Sequence, residues 1–151
     1  MRPNGELEPD EKLPDINVLI NSINTASAHR QPAGQWLEQA FNSETGVGFA
    51  WLALIGFVRL STQPAVLPTP LTVVQALGLM DEWLAHPRAK IIHPTTRHAD
   101  ILARLLLGAG TAGNLTIDAH LAALAIEHGA TVGTFDRDFK RFPGVKFDLL
   151  K

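Results

Sequence analysis

The chain has 151 residues, 46% hydrophobic and 19% charged, with a formal net charge of −2, the proportions of an ordinary globular protein with room for one domain and one core. It contains no cysteine, which excludes disulfide frameworks, thiolate nucleophiles and cysteine zinc sites, and leaves oxygen or imidazole as metal donors. The slightly negative sum excludes the broad basic surface of a nonspecific nucleic-acid coat; the longest uncharged apolar run, residues 47–58, is too short to span a bilayer, so no membrane segment and a cytoplasmic location are expected.

Residues 1–11 set Arg2 against Glu6, Glu8, Asp10 and Glu11. With no apolar centre, this stretch is expected to be a polar, disordered leader, and the single domain to occupy residues 12–151. A strand is expected over 13–16, restricted by Pro14 to a first position or an edge-like pairing, then a helix over 18–23. A second helix over 31–41 puts Trp36, Leu37, Ala40 and Phe41 on one face, with Pro32 suited to its first turn. A buried strand over 46–50 runs into a helix over 51–60, and the three prolines of 63–70 make a loop. Residues 72–85 have helical spacing with Val73, Leu77, Met80 and Leu84 on the apolar stripe, and 90–93 form a short strand. Helices follow over 97–107 and over 115–128, the latter with Ile117, Leu121, Leu124 and Ala125 inward and Gly129 as its stop. Strands over 131–135 and 145–149 complete the order. Helices alternating with short apolar strands argue for an α/β protein with a short, mainly parallel sheet covered on both faces.

In open α/β sheets, ligands gather at the carboxyl ends of the strands. Asp15 ends the first strand, Asp136 follows the strand over 131–135 directly, Asp138 is two residues on, and Asp118 opens the helix that leads into that strand. Each alone is a sound helix cap or first-turn acid. Together on one edge they would repel, and a hard divalent cation bound by oxygen is the usual reason that such a cluster is tolerated.

The runs DINVLI, GNLTIDAHLAALAIEHGA and TFDRDFKRFPGV resemble the three signature blocks of PIN-domain proteins of the VapC toxin group, in order and in approximate spacing across residues 13–150. The resemblance implies a PIN-like three-layer α/β/α sandwich and a metal-dependent endoribonuclease, the toxin of a toxin–antitoxin module. Its metal-binding acids fall on Asp15, Asp118 and Asp136, with Asp138 as an accessory catalytic acid and Mg²⁺ or Mn²⁺ as the ion. Asn17 and Thr134 match polar positions that orient a carboxylate or water. Arg59, Arg137 and Lys140, with Arg141 beside them, are candidate contacts to RNA phosphates. A homodimer and a cognate VapB-type antitoxin are implied as partners. One departure stands out: the family usually has a Glu in the helix after the second strand, and residues 54–59 hold no acid. That motivates the alternative of a degenerate PIN fold that binds RNA or protein without cutting.

A phosphotransfer domain of the haloacid-dehalogenase type wants a second Asp at Asn17 and a hydroxyl at Leu19, and a receiver domain wants an acid on the strand over 90–93. None of these is present. The histidines show no His-x-His or His-Glu-x-x-His spacing; His120 and His128 are expected without a second imidazole beside them, in surface or capping roles. Trp36, Trp51 and Trp83 fall on apolar stripes and read as core or interface.

Overall fold

The computed structural model describes residues 11–151. The expected leader lies outside them except for Glu11, which is buried and whose carbonyl accepts from Thr131 N at 2.8 Å. The elements run β1 (Lys12–Pro14), α1 (Ile16–Ile23), α2 (Arg30–Phe41), β2 (Val47–Phe49), α3 (Trp51–Ser61), α4 (Val73–Ala85), β3 (Ala89–Ile91), α5 (His98–Ala109), α6 (Thr116–His128), β4 (Thr131–Thr134) and β5 (Lys146–Leu149), with 3₁₀ turns at Gly113–Leu115 and Arg137–Arg141.

The five strands form one sheet in the order β3-β2-β1-β4-β5, and every pairing is parallel. The chain therefore leaves β1 toward β2 and β3, then crosses back to add β4 and β5 on the other side. That reversal puts the crevice of a doubly wound sheet between the carboxyl ends of β1 and β4. Even β4 and β5 are parallel, although only residues 135–145 join them. The link is near the short limit of about a dozen residues for a parallel crossover, and it succeeds because its 3₁₀ turn buries Phe139 and Phe142 against the core.

Pro14 departs from expectation. It sits at the last position of the central strand. Lys12 N donates to Gly46 O on the β2 side and Asp15 N to Gly133 O on the β4 side, so strand alternation turns the proline nitrogen toward β2. Only Lys12↔Val47 is in register there, and the missing donor breaks no rung of the ladder.

The core is formed by Leu13, Val18, Leu19, Val47, Phe49, Leu54, Phe57, Leu121, Leu124, Val132 and Phe139, all at most 1% exposed, each contributing roughly 1.5–3 kcal/mol by burial. The apolar stripe of α4 is rotated from that expected, and that of α6 keeps Leu121, Leu124 and Ala125 inward but is broader and lacks Ile117. In α4, Trp83 packs edge-on to Phe57 and stacked near Phe49, which turns Ala76 inward and leaves Val73 and Leu77 exposed. In α6 the inward positions are Ala119, Leu121, Ala122, Ala123, Leu124 and Ala125, and Ile117 stays exposed; small residues on most sides let this helix sit close to its neighbours. The indole of Trp36 lies against Gly133, where a Cβ would come within 2.3 Å of the ring, and its N–H donates to Asp148 at 2.9 Å.

Candidate metal centre

Asp15 stands between β1 and α1 as the helix N-cap, its Oδ1 accepting from Ile16 N at 2.7 Å. Its other oxygen reaches across the crevice: Oδ2 accepts from the Thr134 hydroxyl at 2.8 Å and from the Asn17 amide at 3.3 Å. Thr134 closes β4, is fully buried, and its Oγ1 also accepts from Asp136 N at 2.9 Å. Asn17 Oδ1 accepts from Phe135 N at 3.3 Å. Two side chains thus lock the exit of β1 to the exit of β4, and the capping and site-forming readings of Asp15 hold together.

Asp136 caps the following 3₁₀ turn, accepting from Asp138 N at 2.8 Å. This tight turn folds Asp138 back beside Asp136, and the first turn of α6 brings Asp118 to the same spot. Oxygens of Asp118, Asp136 and Asp138 all lie within 4.8 Å of one another. Asp15 is not in that compact trio but is close enough for its charge to act on Asp118. Of the acids expected to bind metal, Asp118 and Asp136 are in the trio and Asp15 is adjacent; Asp138, expected as accessory, completes the three.

Burial pushes the Asp118 carboxyl up to about 7, with further upward pushes from the Asp15 charge, from its hydrogen bond with Asp136 and from the charges of Asp136 and Asp138. Asp15 is also raised: burial outweighs the hydrogen bonds from Thr134 and Ile16, and Asp136 adds repulsion. Two full charges about 4 Å apart repel by ~4 kcal/mol at an effective dielectric near 20, so the cluster needs a proton or a cation. The donors are all carboxylate oxygen, which fits a hard divalent ion such as Mg²⁺ or Mn²⁺.

Arg137 and Lys140 are exposed on the turn that follows Asp136, and Arg59 is exposed in the last turn of α3. Arg141 donates to Ala109 O at 3.2 Å. The acid-free stretch of α3 packs on α1 at Gly56: a Cβ there would stand 2.6 Å from Ile16 Cδ1, so the residue after Asp15 fills the space a side chain at 56 would use.

His120 departs from expectation, whereas His128 is exposed and its Nε2 lies 2.7 Å from His93 O. His98 of α5 lies beside His120, with Nε2 and Nδ1 2.9 Å apart, and its Nδ1 is 2.5 Å from Glu127 Oε2. Glu127 Oε1 accepts from Thr95 N at 2.7 Å and from Thr95 Oγ1 at 2.6 Å. His120 and Glu127 are seven residues apart and so share a face of α6, a spacing visible in the sequence; the partner on α5 becomes evident only from the packing. Burial would raise the Glu127 carboxyl, but hydrogen bonds from Thr95 and His98 hold it below its usual value. His120 is lowered, first by burial and then by His98. This network faces α5, whereas Asp118, two residues before His120, faces the acids.

The PIN domain family matches residues 12–145. The chain is 49% identical over 137 residues to Ribonuclease VapC37 of Mycobacterium tuberculosis, covering 91% of this chain and 95% of that protein. It is 37% identical to Ribonuclease VapC33 of the same organism, covering 89% and 94%. Among solved structures, VapBC2 from Rickettsia felis bound to a promoter DNA fragment superposes with a TM-score of 0.69 at 20% identity, covering 93% of this chain and 98% of that one; DNA-bound VapBC from Salmonella typhimurium gives 0.65 at 19%, covering 93% and 98%.

Proposed function

The chain belongs to the PIN-domain family, and on that footing we propose that it is a metal-dependent endoribonuclease, the toxin of a VapBC-type toxin–antitoxin module. The observation that supports this most is the meeting of Asp118, Asp136 and Asp138 within 4.8 Å, with Asp15 tied to the same edge through Thr134. In this reading Asp15, Asp118, Asp136 and Asp138 hold Mg²⁺ or Mn²⁺, which when bound activates water and neutralises charge on the scissile phosphate. Thr134 and Asn17 fix the Asp15 carboxylate, as outer partners fix metal-binding groups elsewhere. Arg137 and Lys140, and Arg59 from α3, hold the RNA backbone by charge. The functional domain spans residues 12–151.

The partners proposed are RNA as substrate, a cognate VapB-type antitoxin and a second copy of the chain. Exposed Trp51 and Ile55 on α3 and Val73, Val74 and Leu77 on α4 are apolar surface for such partners to cover. No helix among the described residues is long and apolar enough to cross a membrane, and action in the cytoplasm belongs to the same proposal.

A second reading, an RNA- or protein-binding PIN module without cleavage, is favoured by one observation: residues 54–59 offer no acid, and Ile16 occupies the space beside Gly56. Incubation of cellular RNA with the purified chain separates the two. Cleavage in Mg²⁺ or Mn²⁺ that stops on chelation and in Asp136→Asn supports the nuclease; RNA retained uncut by the wild type supports the binding module.

A further inference from the structure

Beside the acids, on the same edge of the sheet, lies an aromatic pair that the metal centre does not use. Phe135 is the residue between Thr134 and Asp136, and strand alternation sends its side chain to the face opposite Thr134, where it is partly buried against the core. The imidazole of His29, at the N-cap of α2, covers it with ring centroids 4.4 Å apart and an interplanar angle of 38°. His29 is itself exposed.

The backbone that carries each ring is hydrogen-bonded to a side chain of α1 or of the α1–α2 turn. Phe135 N donates to Asn17 Oδ1 at 3.3 Å. His29 N donates to Ser27 Oγ at 3.0 Å, and that hydroxyl donates to Asn21 Oδ1 at 2.6 Å. A half-buried ring, one residue from Asp136 of the acid cluster, thus backs an exposed one. A ring held in this way offers its outer face to a flat apolar partner at little entropic cost. The other histidine–phenylalanine pair among the described residues, His86 on Phe41 at 4.6 Å, lies before β3 at the amino edge of the sheet, away from the acids.

Single-stranded RNA is the ligand class that presents flat faces at nucleotide intervals along a phosphate chain, and bases stack on aromatic side chains without requiring a particular sequence. We propose that His29, backed by Phe135, is a stacking platform for the base of a nucleotide next to the phosphate placed at the acids. The proposal rests on the ribonuclease reading and adds a positioning contact to it. The platform favours unpaired RNA, because a base within a duplex has no free face.

The test uses the full chain in chelator, so that RNA binds without being cut, and a short fluorescent single-stranded RNA in which an abasic nucleotide replaces each position in turn. Wild type, His29→Ala, His29→Phe and, as control, His86→Ala are compared by anisotropy. One abasic position is expected to weaken wild-type binding by roughly tenfold and His29→Ala binding hardly at all, and His29→Ala is expected to lose about the same factor on intact RNA. His29→Phe should recover wild-type affinity, and His86→Ala should equal it. Equal loss by His29→Ala on every abasic RNA would mean a phosphate contact and overturn the platform, as would wild-type affinity in His29→Ala. If the wild type neither binds nor cuts RNA, the ribonuclease reading fails and the platform with it; RNA cutting with an indifferent His29 removes the platform alone.

Discussion

Thr134 Oγ1 donates to Asp15 Oδ2 at 2.8 Å, joining residues 119 positions apart at the reversal point of the sheet. The same oxygen accepts from Asp136 N, so one hydroxyl sets the distance between two acids. Thr134→Val keeps the shape and removes the link. Stability should fall by roughly 1–3 kcal/mol, because a buried carboxylate oxygen is left with the longer Asn17 bond alone and a backbone N–H loses its partner. Mn²⁺ affinity should drop by about 10- to 100-fold, the usual cost of losing an outer partner at a metal site. Denaturant unfolding and calorimetric titration check the two effects; unchanged Mn²⁺ binding would separate Thr134 from the centre.

Asp118 at about 7 makes the metal-free protein sensitive to alkali. The ordinary value is 3.8, so between about 4 and 7 the folded protein retains a proton that the unfolded chain has released, and stability falls as pH rises through that window. Asp118→Asn removes the titrating group. In chelator the variant should melt higher than wild type above pH 7, with the difference vanishing toward pH 4, and Mg²⁺ should stabilise the wild type alone. A variant that melts lower throughout would show that the cluster is not under charge strain.

Asp15→Asn separates capping from charge. Asn is as good an N-cap as Asp, and its carbonyl oxygen can accept from Ile16 N, but its NH2 replaces the oxygen that accepts from Thr134 and Asn17, so stability should fall by about as much as in Thr134→Val while the fold is kept. RNA cleavage in Mg²⁺ should nevertheless fall by two orders of magnitude or more, because a negative ligand next to the trio is gone. A folded variant that cuts at the wild-type rate removes Asp15 from the site.

Glu127 works in the opposite pH direction. Its carboxyl is held below the ordinary 4.5 by Thr95 and His98, so its contribution to stability is present above that value and is lost as pH falls through the folded one. Glu127→Gln should therefore destabilise most at neutral pH and least in acid. Melting curves of both proteins from neutral to acidic pH check this; parallel curves would place the network outside the stability of the α5–α6 pair.

Much of this architecture was legible in the chain. The alternation of short apolar strands with helical spacing gave the parallel sheet and the order of its elements, and acids that follow strands pointed to one edge. What remained hidden depends on rotation and neighbours. The inward face of α4 is set by Trp83 against Phe57, a contact that no periodicity reveals. The tolerance of Pro14 in a central strand depends on which side its nitrogen faces. Asp138 joins Asp118 and Asp136 because a 3₁₀ turn replaces the helix that usually joins parallel strands, and His98 meets His120 only because α5 packs on α6.

The acids of the crevice are far apart in chain order: Asp15 is made 103 residues before Asp118, and Asp136 and Asp138 follow later still. Until β4 has docked along β1, a nascent chain holds Asp15 at a helix cap without Asp136 and Asp138 beside it. On the ribonuclease proposal, the nascent chain therefore has no cutting site until β4 has been made and has docked along β1.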